Sequence, residues 1–259
     1  MSRLRARCPF CRTLTAVALG GSYECHSCGR EFGAGLVRVP RAWGAGGEPM
    51  VEAARLDLPY PEVAVIEEDS LAEQNLALAA ALPERPLVLG GCCCSHVGAV
   101  EGLAARHDRL AVVWLDAHGD LNTPETSPSG NEWGMPLRML LDTETVTADD
   151  VALVGARDLD PPEEEFIARA GLHTGEDGVE RALAGAEAVY VALDVDVLEP
   201  GGEVEPFMPT AGGPTADETA LLLQRVVATV PVAGAGLTGL TGAPENAVSL
   251  VRFTRALGL

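Results

Sequence analysis

From residue 35 onward the chain alternates short apolar runs with longer amphipathic stretches. The runs, at 36–39, 63–66, 87–89, 111–115, 151–154, 188–193 and 232–237, are rich in Val, Ala and Leu. Such short, unbroken apolar segments predict strands buried on both faces. Between them, 71–82, 96–106, 136–141, 162–170, 216–227 and 244–257 carry helix-like patterning. The rhythm predicts an α/β fold with a mostly parallel sheet covered by helices. The first 34 residues break from it: 13–19 alternates towards strand, Gly20-Gly21 supplies a hairpin turn, and 22–24 returns the chain. The pattern divides the chain into a small head, 1–34, and a body, 35–259.

In sheets of this kind ligands bind beyond the carboxyl ends of the strands. Four of those ends carry unusual residues: G-G-C-C-C-S-H at 90–96, D-A-H-G-D-L-N at 116–122, G-A-R-D-L-D-P at 155–161 and D-V-D at 194–196. Asp116, His118 and Asp120 alternate, so in an extended segment they share one face; Asp194 and Asp196 do the same. Burying four carboxylates without a cation costs several kcal/mol each, and a pair of divalent ions converts that cost into binding. A single Asp after a strand is ordinarily a helix cap or turn former. Two spaced sets with a His between them point to metal.

The seven cysteines fall in two clusters, Cys8, Cys11, Cys25 and Cys28, then Cys92, Cys93 and Cys94. The first reads C-P-F-C and C-H-S-C, two knuckles that can set four thiolates around one structural Zn2+ in a zinc ribbon. A pair of disulfides is the competing account, disfavoured in a reducing compartment. With all four thiolates used, such a zinc has a folding or docking role.

Charge sharpens the division. The chain of 259 residues has 18 Arg and no Lys against 38 acids, a net charge of −20. Residues 1–41 hold seven Arg and two Glu, net +5, leaving eleven Arg and 36 acids, net −25, for the rest. So acidic a body repels a phosphate backbone, which makes nucleic acid an unlikely partner and a zinc-ribbon adaptor the weakest functional class. No apolar run reaches the roughly 18–20 residues that span a bilayer, and the start lacks the apolar stretch of a secretory signal, so no membrane association and a cytoplasmic location are expected.

D-A-H-G-D-L-N, P-E-T-S-P-S-G-N-E-W-G-M-P, G-A-R-D-L-D-P and A-L-D-V-D-V-L-E-P together resemble the ureohydrolases, arginase, agmatinase and their relatives, from about residue 39 to the end. The resemblance implies a three-layer α/β/α fold, a homo-oligomer, a small amidino or guanidino substrate, and a dimanganese centre whose hydroxide attacks an amidino carbon. It implies that Asp116 and Asp194 bridge both ions, that His118 and Asp196 bind the second, and that Asp120 binds the first and moves the proton. The first ion's remaining ligand in the family is a His; here the position is Cys93, whose softer thiolate shifts preference from Mn2+ towards Zn2+ or Fe2+. His96, three residues on, is the lesser alternative. Asn122, Ser129 and Asp160 match positions that hold the carboxylate and amino group of an amino acid substrate. Trp133 stands where arginase has a proton-shuttling His, and Thr241 where a Glu grips the guanidinium. These two departures count against efficient hydrolysis of arginine itself. The expected function is C–N bond hydrolysis of a linear amidine, such as a modified arginine. The competing reading is a catalytically weak or inactive ligand-binding relative.

Overall fold

The computed structural model describes residues 5–259; residues 1–4 of the head lie outside the described residues. Along each body strand successive side chains point to opposite faces. Leu36, Leu87, Leu89, Val113, Val191 and Leu237 enter one apolar cluster, and Val37, Val88, Val112 and Tyr190 enter another. The strands are β5 (Gly35–Val39), β6 (Glu62–Val65), β7 (Pro86–Gly90), β8 (Leu110–Leu115), β9 (Val151–Val154), β10 (His173–Thr174), β11 (Ala188–Asp194) and β12 (Val232–Thr238), preceded in the head by β1 to β4. Their order is β10-β9-β8-β11-β12-β7-β5-β6, with every neighbouring pair parallel.

Helices cover both faces. α1 (Glu48–Ala53), α6 (Gly175–Leu183), α7 (Ala216–Thr229) and α8 (Asn246–Ala256) pack Ala53, Val179, Leu223 and Phe253 into the first cluster. α2 (Leu71–Ala81), α3 (Ser95–Ala104), α4 (Pro136–Asp142) and α5 (Pro161–Ala170) pack Leu78, Val100, Leu137 and Phe166 into the second. The result is the three-layer α/β/α sandwich. Among the α-helices and strands of the body, three escape the sequence pattern: α1, a short helix opened by Pro49; α6, whose Gly178 dilutes the helical signal; and the two-residue β10. α8 begins at Asn246 rather than 244, because Thr241, Ala243 and Asn246 close a turn first.

The head is an antiparallel sheet of β1 (Arg5–Ala6), β2 (Ala16–Leu19), β3 (Ser22–Cys25) and β4 (Glu31–Phe32) in that order. β2 is shorter than the predicted 13–19. Thr13 and Thr15 instead join their hydroxyls at 2.6 Å, and the Cys8 amide donates to the Thr13 carbonyl at 2.9 Å to close the first knuckle. Head and body share one core, with Ala6, Tyr23 and Phe32 in the cluster that holds Val37, Val63 and Leu82. Arg7 and Glu62 exchange two backbone hydrogen bonds of 3.1 Å, so the head also covers part of the edge strand β6.

Candidate metal centre

The four central strands, β8, β11, β12 and β7, end on one side of the sheet, and the residues after them converge on a cavity of about 210 Å³. Asp116, His118 and Asp120 follow β8, Asp194 closes β11, Asp196 lies in the 3-10 turn Val195–Val197, and Cys93 precedes α3. All six line the cavity. Ligand atoms of Cys93, Asp116 and Asp120 lie within 4.8 Å of one another, as do those of Asp116, His118 and Asp196. Asp116 belongs to both triads, as a bridging carboxylate between two ions would. His118 Nδ1 is 3.0 Å from Asp196 Oδ2 and 3.4 Å from Asp116 Oδ1, while Cys93 Sγ is 2.8 Å from Asp194 Oδ2.

Backbone amides orient the carboxylates. His118 N–H donates to Asp116 Oδ1 at 2.7 Å, Ala117 N–H to Asp196 Oδ1 at 3.0 Å, and Asp196 N–H to Asp194 Oδ1 at 3.0 Å. The Trp114 indole donates to Asp116 Oδ2 at 3.3 Å. Asp120 is different: its backbone sits at φ +53°, and its Oδ2 is buried with no hydrogen-bond partner among the described residues. A buried, unpartnered carboxylate oxygen is costly unless a cation or a proton meets it.

The electrostatics agree. Burial, followed by the charge of Asp196, pushes Asp194 up to about 7. Burial, followed by Asp116, pushes Asp196 up to about 6, and burial raises Asp116 and Asp120 as well. Burial likewise drives the Cys93 thiol up, with Asp194 second. Burial opposes charge on His118, but Asp116 and Asp196 outweigh it and lift the imidazole to about 12. The centre is thus short of positive charge and holds protons in its place, which is the chemistry of a donor set made for divalent cations. The residues fit a pair of them.

Among the expected substrate residues, Asn122, Ser129, Asp160 and Trp133 line the same cavity. Asn122 Nδ2 donates to Asp160 Oδ2 at 2.9 Å, and Trp133 meets Phe207 edge to face with centroids 6.3 Å apart. Thr241 is not among the residues lining the cavity; its carbonyl accepts from Asn246 Nδ2 at 3.0 Å and its Oγ1 from the Ala243 amide, in the turn before α8. Glu163 and Gly239, lining residues without a place in the sequence reading, shape the centre. Glu163 is buried and accepts from the Leu121 amide through Oε1 and the Asp160 amide through Oε2, both at 2.9 Å, bracing the loop that carries Asp120. The D-P-P-E capping pattern was the available signal. Gly239, at φ +71°, abuts Asp194 so closely that a Cβ would overlap the carboxylate. His96 does not enter either triad; it lies behind Thr238 at 3.1 Å.

In the head, Cys8, Cys11, Cys25 and Cys28 place their sulfurs within 4.8 Å of one another as free thiols. Thr15, the largest influence, and nearby amides lower Cys25 to about 5, while burial and the other thiols outweigh an amide that lowers Cys28 and lift it to about 11.

The fold is an α/β/α sandwich that gathers paired carboxylates, a His and a thiol at its central strand ends. The sequence model of the arginase family matches residues 50–242, and the chain belongs to that family. It is 33% identical to the arginase of Bacillus caldovelox over 187 residues, 60% of this chain and 62% of that protein. It is 36% identical to the arginase of Staphylococcus aureus (strain COL) over 140 residues, 44% of this chain and 46% of that one. The chain thus spans less than two thirds of the length of these curated relatives. The native structure of the Bacillus caldovelox arginase superposes with a TM-score of 0.72 at 26% identity, covering 86% of this chain and 97% of that one.

Proposed function

We propose that the protein is a dinuclear metal-dependent hydrolase that cleaves a C–N bond of an amidino or guanidino compound. The observation that carries the reading is the buried Asp120 Oδ2, unpartnered among the described residues, in a cavity that Asp116, Asp194, Asp196, His118 and Cys93 also line. Its membership of a family whose curated relatives here are arginases supports the substrate class.

Cys93, Asp116, Asp120 and Asp194 would hold one ion and Asp116, His118, Asp194 and Asp196 the other, Mn2+ or the more thiophilic Zn2+ or Fe2+. When bound, the ions supply a water of lowered pKa and polarise the substrate. Asp120 Oδ2 takes the proton of the attacking water and returns it to the departing nitrogen, so one carboxylate serves both halves of the cleavage. Asn122, Ser129 and Asp160 bind the polar end of the substrate. Trp133, with Phe207 and Met50, forms an apolar wall that carries no proton. The four head cysteines hold a structural Zn2+. The reading includes a cytoplasmic homo-oligomer, checked by fractionation and light scattering; among the described residues no helix is long and apolar enough to cross a membrane.

The test is metal analysis followed by a screen of guanidino, amidino and formimino compounds with the metal-loaded chain, monitoring release of urea, ammonia or amine. About three ions per chain are expected, one in the head and two in the body. A single zinc, with no product from any compound, defeats the proposal.

A further inference from the structure

Behind the centre runs a line of buried polar groups that ligand placement alone does not explain. Thr238 Oγ1 stands 3.3 Å from both Cys93 Sγ and Asp194 Oδ2, which are themselves 2.8 Å apart. On its far side it lies 3.1 Å from His96 Nε2, and His96 Nδ1 lies 2.9 Å from the Tyr190 hydroxyl. Thr238, His96 and Tyr190 have no exposed surface. The line exists because residue 236 is Gly: a Cβ there would strike both the His96 ring and the Tyr190 hydroxyl.

The direction of the proton chain follows from the partners available. Among the described residues the Tyr190 hydroxyl has His96 as its only hydrogen-bond partner. If Nδ1 carried the ring proton, the Tyr190 proton would be buried without an acceptor, an expensive arrangement. Tyr190 therefore donates to Nδ1, His96 Nε2–H donates to Thr238 Oγ1, and the Thr238 proton is left to point at the Cys93–Asp194 pair. With the thiol protonated, Cys93 itself can donate to Asp194. Once the thiol ionises, two anionic atoms stand in contact, and they need a cation on one side and a donor on the other.

We infer that the first metal position is a thiolate site: Cys93 binds the ion as S⁻, the Tyr190–His96–Thr238 chain aims a hydroxyl proton at it and at Asp194, and the position selects a thiophilic divalent cation over manganese. This rests on the reading that divalent ions occupy the cavity. Thr238, His96 and Tyr190 act as positioning residues, since none touches the reacting atoms.

The test uses the full chain, stripped and reloaded with Co2+. A difference spectrum between wild type and Cys93→Ser cancels the head's four thiolates and should leave a near-ultraviolet sulfur-to-cobalt charge-transfer band. The band should shift in Thr238→Val and Tyr190→Phe. Zn2+ affinity should fall about 10- to 100-fold in Thr238→Val, the usual effect of losing a hydrogen bond behind a ligand. Cys93→His should move the Zn2+-over-Mn2+ preference by at least about tenfold towards manganese. Far-ultraviolet circular dichroism and metal counts identify any variant that fails to fold; Tyr190→Phe, which removes a single oxygen, then carries the comparison. No difference band, or unchanged preference in Cys93→His, overturns the inference. The two readings fail separately: a band without turnover on any amidino compound sinks the hydrolase, whereas turnover without a band sinks only the thiolate site.

Discussion

Gly239→Ala isolates what a single missing Cβ contributes to the centre. Gly239 has φ +71°, and its Cβ would overlap the Asp194 carboxylate; Gly201 has φ +82° and nothing within 4 Å of a Cβ. Both alanine variants carry the left-handed backbone penalty of about 1–2 kcal/mol. In a chain of this size each kcal/mol lowers Tm by about 2–4 °C. Only at Gly239 must a carboxylate also move, and displacing a ligand's support weakens metal binding about 10- to 100-fold. At a free metal concentration 100 times the wild-type Kd, binding stabilises the fold by about 2.7 kcal/mol; a 100-fold weaker site retains about 0.4 kcal/mol. Thermal melts with and without Mn2+ or Zn2+ should therefore show a metal-induced rise in Gly201→Ala close to wild type and a rise reduced by about 5–9 °C in Gly239→Ala. Metal retained after dialysis against a chelator gives the second reading. If Gly239→Ala holds its ions as tightly as Gly201→Ala, the reasoning that Asp194 is fixed by this contact is wrong.

Four further outcomes are expected. Asp120→Asn should lower turnover by about 10²–10⁴-fold per bound metal, the range for a lost general base, and equal rates at equal metal content would exclude Asp120 as the proton carrier. Asp194 and Asp196 sit near 7 and 6 in the folded chain against a model-peptide 3.8, so the folded state holds their protons more firmly than the unfolded state. Their contribution is full below about pH 4 and is lost as pH rises towards 7; urea midpoints of the stripped protein should be lower at pH 8 than at pH 5.5, and metal should close the gap. Cys25→Ser should remove one zinc per chain and, at zinc 100-fold above Kd, about 2.7 kcal/mol of stability while leaving the body ions in place. Arg157 donates to the carbonyls of Gly155, Asp196, Thr210 and Ala211, tying the loop that carries Met208 to the centre; Arg157→Ala should raise KM about tenfold, about 1.4 kcal/mol, with kcat changed little.

What the sequence made legible follows from where information is local. Asp116, His118, Asp120, Asp194 and Asp196 stood out because acidic residues directly after apolar runs contradict the runs' burial. Cys93 was reached only through the family resemblance, and the structure brings it beside Asp116 and Asp120. Glu163, Gly239, Thr238 and Tyr190 did not. Each acts through a contact with a residue far away in the chain, 42 positions in the Glu163–Leu121 bond and 94 in the His96–Tyr190 bond. A glycine after a strand reads as a turn until the neighbouring carboxylate is seen. The place of Thr241 in a motif likewise said nothing of the Asn246 hydrogen bond that its carbonyl accepts in the turn before α8. The head's cysteine spacing was legible, but its burial against Val37 and Val63 depends on side chains outside the knuckles and was not.

The placement of the centre also explains how a fold of marginal stability tolerates it. β8 and β11 are buried at every position, and their apolar content runs unbroken from Leu110 to Leu115 and from Ala188 to Leu193. Each side chain of that kind contributes about 1.5–3 kcal/mol when buried. The opposing terms, four raised carboxylates and a thiol, are gathered at one end of the sheet, at or beyond the last ladder positions, where β8 pairs Leu115 with Leu193 and Val154 and β11 pairs Asp194 with Thr238. Because the stabilising and destabilising residues occupy successive segments of the same strands, a change at the centre need not propagate into the sheet. Loss of metal should cost the protein its chemistry and a few kcal/mol, and leave the eight-stranded layer standing.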